Sequence, residues 1–163
     1  MAVSSLDGLT ARLRDQKVAA VFVYTHEAHP GEHFPHHSSF EQKLAHAREF
    51  QRRFNVRRPI LVDSLDGSCH RAYGSMPNMC WIMDRAGRPV YKADWTDAAS
   101  VERAVLDLFA RADRRRDTRL PSAAFKVELL ESRPRDQVAF MKGLEVAGPK
   151  AVAEFKAWNS RQT

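Results

Sequence analysis

With 163 residues and 44% hydrophobic content, the chain is large enough for one real core and short for two. Its formal net charge of +6 suits an acidic partner, but the excess sits in residues 111–119 and 52–58. The first run alternates with aspartates at helical spacing and no stacking aromatics accompany it, so solvated helix ends are expected and nucleic-acid binding is not. No apolar run approaches the roughly eighteen residues that cross a bilayer, and no basic flank leads into an apolar segment, which predicts a cytoplasmic protein without a membrane partner. The two cysteines, Cys69 and Cys80, make neither a disulfide scaffold nor a cysteine-zinc site.

Residues 4–16 carry Leu6, Leu9 and Leu13 on one helical face, with Ser5 as a candidate cap. Residues 18–25, VAAVFVYT, are continuously apolar and rich in β-branched and aromatic side chains, the pattern of a strand covered on both faces. A second helix starts where Ser38 and Glu41 have capping-box spacing, and Phe40, Leu44, Ala47 and Phe54 recur along one side. Residues 59–64, PILVDS, form a second short buried strand. Helix, strand, helix, strand in this order predicts parallel crossovers and helices packed on a sheet.

Residues 78–95 then read as an antiparallel hairpin turning at DRAG, where Gly87 supplies the turn. A helix follows, capped by Thr96 or Asp97, with Val101, Val105, Leu108 and Phe109 as its apolar stripe. Past Arg114 the composition loosens into a linker. The expected division is 1–114 as one domain and 115–163 as an extension, with a half-buried strand over 124–131 and two short helices over about 135–160, broken at Gly148-Pro149.

The stretch HEAHPGEHFPHH, residues 26–37, holds five of the seven histidines. Glu27 and His29 fall just past the C-terminal end of a predicted parallel strand, where open α/β sheets bind ligands, and a carboxylate beside an imidazole orients it to move a proton or hold a polar group. A zinc site would need three or four ligands converging at about 2 Å. His26, His33, His36 and His37 are the candidate set, but Pro35 works against the helical turn that would bring His33 and His36 together. A solvated or substrate-facing loop is therefore the preferred reading. His46, mid-helix, and His70 read as structural, and Cys80 as a small buried hydrophobe.

Three stretches carry a resemblance. VFVYTHEAHPGE resembles the strand and loop that follow the nucleophile helix in iodothyronine deiodinases and their bacterial redoxin-like relatives, with Tyr24, Glu27, Ala28, His29 and Pro30 as the matches. ILVDSLDGSCHRAYGSMPN resembles that family's second strand, short helix and proline turn through Val62, Asp63, Tyr73 and Pro77, and WIMDRAGRPVYKADW resembles its closing hairpin. The likeness spans residues 4–110. It implies an α/β chain with a thioredoxin-like central mixed sheet flanked by helices, followed by the C-terminal strand and helical extension.

The same resemblance implies a thiol- or selenol-dependent oxidoreductase without a cofactor or metal, acting on a thiol-reactive or halogenated small molecule. His29 with Glu27 would form the catalytic or substrate-orienting pair, with Tyr24, His33, Tyr73, Met76 and Pro77 around the substrate and the Met76-Pro77 bond as the fold's cis-proline. The family's nucleophile stands after a strand that would lie upstream of Met1. Three explanations stay open: an upstream extension, a relative that binds rather than reacts, or chemistry taken over by Cys69 or Cys80. Cys69 follows LDGS near a predicted helix start, where a thiolate is stabilised. In such a sheet the missing strand lies between residues 18–25 and 80–84, so residues 124–131 or a second copy's strand, in a homodimer or strand exchange, would fill the slot.

Overall fold

The computed structural model describes residues 2–74, 76–118, 125–129 and 136–161. The chain is α/β and divides into two compact units, one of residues 3–77 with 135–163 and one of residues 78–134. The two terminal helices thus belong to the first unit. Among the described residues no helix is long and apolar enough to cross a membrane.

The first unit opens with α1 (Ala2–Arg12), which buries Leu9, and Leu13 just beyond it, while Ser5 lies inside the helix instead of capping it. A 3-10 turn (Arg14–Gln16) leads to β1 (Phe22–Tyr24), which pairs parallel with β2 (Ile60–Val62) in the register Phe22 to Ile60, Val23 to Leu61 and Tyr24 to Val62. The crossover is α2 (Phe40–Arg53). Its cap is Ser39, one residue later than the spacing suggests. The Ser39 hydroxyl accepts from the Gln42 N–H at 3.2 Å, and the Gln42 carboxamide accepts in return from the Ser38 N–H at 2.8 Å.

Alternation along β1 sends Phe22 and Tyr24 toward α2, where both rings meet Phe50 at 5.1 and 5.9 Å. The opposite face is not covered: Val21 and Leu61 are more than half exposed and Val23 is exposed as well. The expectation of strands buried on both faces therefore fails. A continuous apolar run reports β propensity and one buried face; whether the second face meets a neighbour is a tertiary matter.

After β2 comes α3 (Ser68–Tyr73). Two further helices, α5 (Gln137–Ala147) and α6 (Pro149–Asn159), complete this unit; they break at Gly148-Pro149 as expected and share a core of Leu144, Ala151 and Phe155. Asp136 caps α5 by accepting from the Ala139 N–H at 3.0 Å. Pro149 suits the first helical position, where its missing N–H leaves no bond unmade.

Among its described residues the second unit has a three-stranded sheet and a helix. β3 (Cys80–Met83) and β4 (Pro89–Ala93) form the predicted antiparallel hairpin with an irregularity between Ile82 and Met83. Asp84 ties its turn by accepting the Ala86 and Arg88 N–H groups at 2.8 and 3.0 Å. The helix α4 (Ala98–Thr118) is capped by Asp97, whose carboxylate accepts from the Ser100 N–H at 2.9 Å. Its Ala104 packs on Tyr91 and Ala93. It continues helically to Thr118, past the expected linker boundary at Arg114, because the arginine and aspartate run keeps helix-compatible spacing.

β5 (Lys126–Glu128) pairs parallel with β4, Tyr91 opposite Lys126 and Ala93 opposite Glu128. It therefore does not lie beside β3 in the slot assigned to residues 124–131, and the rest of that predicted strand lies partly outside the described residues. An edge position suits its half-exposed alternation better than a sheet centre. The described strands form two sheets, β1-β2 and β3-β4-β5, and not one central sheet.

Candidate functional site

The site grows from the C-terminal end of β1. Tyr24 is buried against α2, and its hydroxyl donates to Glu27 Oε1 three residues on. Two imidazoles face that same oxygen: His37 Nε2 at 3.7 Å and His46 Nδ1 at 3.5 Å. The rings lie 5.1 Å apart, and Phe34 closes over His46 edge-on at 5.1 Å. The side chains of His37, His46 and Glu27 are 5%, 13% and 21% exposed, and neither facing imidazole nitrogen has a hydrogen-bond partner. Such buried, unmet nitrogens are uncommon in folded proteins and mark a place where something else belongs.

Electrostatics around the centre follow from burial and from crowding of basic groups. Burial, with His46 and Lys43 close by, lowers His37 to about 4. His26 is held below its ordinary value by burial first and then by His70, Lys43 and His36. Burial, helped by the hydrogen bond to Glu27 and its charge, pushes the Tyr24 hydroxyl up. Lys43 lies only 1% exposed, its Nζ donating to Ser64 O at 2.8 Å, and burial lowers it against the pull of Asp63 and Asp66.

Beside the centre is a cleft of about 280 Å³ lined by His26, His36, His37, Lys43, His70 and Arg71, among others. Asp63, just past β2, holds the start of α3 by receiving the Cys69 and His70 N–H groups, both at 3.0 Å. Although burial opposes its ionisation, those two N–H groups and Lys43 hold the Asp63 carboxyl below its ordinary value.

Of the residues singled out from the sequence, Tyr24, Glu27 and His37 meet at the centre, and His26 and His36 line the cleft. The expected pairing of Glu27 with His29 is not made. His29 instead stands edge-on to Phe140 and Phe155 at 5.6 and 5.8 Å. The reason is the path of the loop, which is clamped to the α5-α6 corner: the His33 N–H donates to Ala147 O at 3.0 Å, and Glu32 accepts from the Lys150 N–H at 3.1 Å. The His33 side chain, also predicted at the substrate, is exposed.

The proline turn departs from expectation too. There is no cis peptide bond among the described residues, so Met76-Pro77 is trans. The Met76 carbonyl accepts from His70 Nε2 at 3.1 Å. Tyr73 is 45% exposed and, like Cys69, does not line the cleft. The His26 ring lies tilted against that of His70, with centroids 4.8 Å apart.

Sequence reasoning missed His46 and Lys43. The available signal was the spacing on α2: Lys43, His46, Ala47 and Phe50 recur at three- and four-residue intervals, which places all of them on the face that looks at β1. Comparison with family models, with curated proteins and with solved structures found no match for the chain.

Proposed function

We propose that the chain is a thioredoxin-like protein of the deiodinase and redoxin type that holds a thiol-reactive small molecule in the cleft beside Glu27 for thiol-dependent reduction. One observation carries the reading. Tyr24 and Glu27, two residues of the motif, are hydrogen-bonded to each other at the C-terminal end of a parallel β-α-β unit, where such folds place their chemistry. The orienting imidazoles are His46 and His37 in place of His29. A direct assay supplies dithiothreitol and measures iodide release from an iodophenol; the carbon-iodine bond is replaced by carbon-hydrogen while two thiols become a disulfide. Glu27→Gln should lower the rate about 100-fold, the scale of a lost orienting contact, and Cys69→Ser should leave it unchanged. A wild-type chain with no thiol-dependent turnover of iodophenol or hydroperoxide removes the catalytic reading.

The exposed Val21, Val23 and Leu61 favour a second reading, a non-catalytic module that assembles through this face. A concentration-dependent dimer in sedimentation, dispersed by Leu61→Lys and accompanied by no turnover, would establish it in place of the first.

A further inference from the structure

We propose that Glu27, His37 and His46 form a binding site for a divalent transition-metal ion, with zinc the best-fitting occupant. The ligand atoms Glu27 Oε1, His37 Nε2 and His46 Nδ1 all lie within 4.8 Å of one another. A tetrahedral ion with bonds near 2.0 to 2.1 Å sets its ligands about 3.3 Å apart. The two histidine-to-glutamate separations, 3.7 and 3.5 Å, are already close to that edge. The third separation, between the two histidine nitrogens, lies within 4.8 Å, so side-chain rotation has to bring these atoms together around the ion.

A second observation points the same way. The His37 side chain is 5% exposed, and its Nε2 has no hydrogen-bond partner, as His46 Nδ1 has none. Both nitrogens are aimed at one carboxylate oxygen, and an ion between them would satisfy all three at once. Two imidazoles and one carboxylate are a donor set that suits zinc, cobalt or nickel more than calcium or magnesium. Tyr24, which donates to the same carboxylate, is the outer partner that fixes its orientation. Three protein ligands leave a fourth position for water or substrate, and His37 also lines the cleft, so that position is reached from there. The ligands come from two places, the loop and α2. This set differs from His26, His33, His36 and His37, which do not converge among the described residues.

The site stands on this geometry alone and does not depend on the redox reading, so it is tested by binding rather than turnover. The untagged full chain, stripped with a chelator and dialysed, is titrated with zinc by calorimetry and with cobalt by visible absorption. One ion per chain is expected, with the intense cobalt bands of a tetrahedral site. Glu27→Gln, His37→Ala and His46→Ala should each weaken binding by more than the roughly tenfold to 100-fold of an outer-partner change, and Tyr24→Phe by about tenfold. His33→Ala should change nothing. His46→Gln, with circular dichroism confirming its fold, guards against loss of binding through unfolding. Absence of stoichiometric binding overturns the proposal, as does binding that survives the three ligand variants, which would mark an adventitious surface ion.

Discussion

Asp7 and Arg58 form an ion pair of 2.7 Å between α1 and the approach to β2, with side chains 10% and 6% exposed. The contact is a close charge pair and not an aligned hydrogen bond; the directed bond at this carboxylate is the one from the Arg57 N–H at 3.0 Å. Removing one member of such a buried ion pair takes the compensating charge from the other, at a cost of about 3 to 5 kcal/mol. Asp7→Ala should therefore lower the urea midpoint by a corresponding amount. Replacing both members with apolar side chains, Asp7→Leu with Arg58→Met, should recover most of it. A single-variant loss below about 1 kcal/mol, the range of a surface pair, would show that the pair is solvated.

Nothing local announces that pair, and the contrast explains what the sequence could reveal. The elements set by short-range chemistry were legible: the Gly87 turn, the Asp97 cap, the break at Gly148-Pro149 and the helix-strand alternation all depend on residues within a few positions of each other. What failed depended on distant partners. Val21, Val23 and Leu61 read as buried because their chemistry is apolar, and β5 read as a slot filler because its neighbour could not be seen. At the site, the motif paired Glu27 with His29, two residues on. The histidines that face it come from farther along, on the loop's end and on α2.

The loop clamp makes a paired glycine test. A Cβ at Gly31 would run into the Ala147 carbonyl, which also accepts from the His33 N–H, so backbone would have to yield. Gly31→Ala should cost about 1 to 3 kcal/mol, the range of overpacking. Gly143, inside α5, meets nothing within 4 Å, and Gly143→Ala should stabilise by about 0.5 to 1 kcal/mol through lower chain entropy. Thermal unfolding of the two variants should therefore shift in opposite directions; a shift of the same sign would mean that the loop does not sit against α5 as described.

Acid should loosen the same junction. The Lys150 N–H holds the Glu32 carboxyl below its ordinary value. A carboxyl depressed in the folded state stabilises it above the ordinary glutamate value and loses that contribution as pH falls through the depressed one. Glu32→Gln should thus be less stable than wild type at pH 7, with the gap closing as pH falls below about 4. Melting curves of both proteins across that range test it, and a gap that stays constant with pH would assign the difference to shape and not to charge.

His29 and His46 make opposite demands on one experiment. The motif favours His29, whereas the structure gives His29 two edge-on ring contacts in the α5-α6 core and gives His46 the approach to Glu27. Edge-on aromatic contacts contribute about 0.5 to 1.5 kcal/mol each beyond the buried area. His29→Ala should lower the melting temperature while leaving ligand or metal binding at the centre within about twofold, inside the few tenths of a kcal/mol expected of an uncoupled site. His46→Gln should do the reverse, abolishing binding with little change in melting. If His29→Ala instead removes binding from a chain that melts like wild type, the loop places His29 at the centre in solution, and Glu27 pairs with His29 after all.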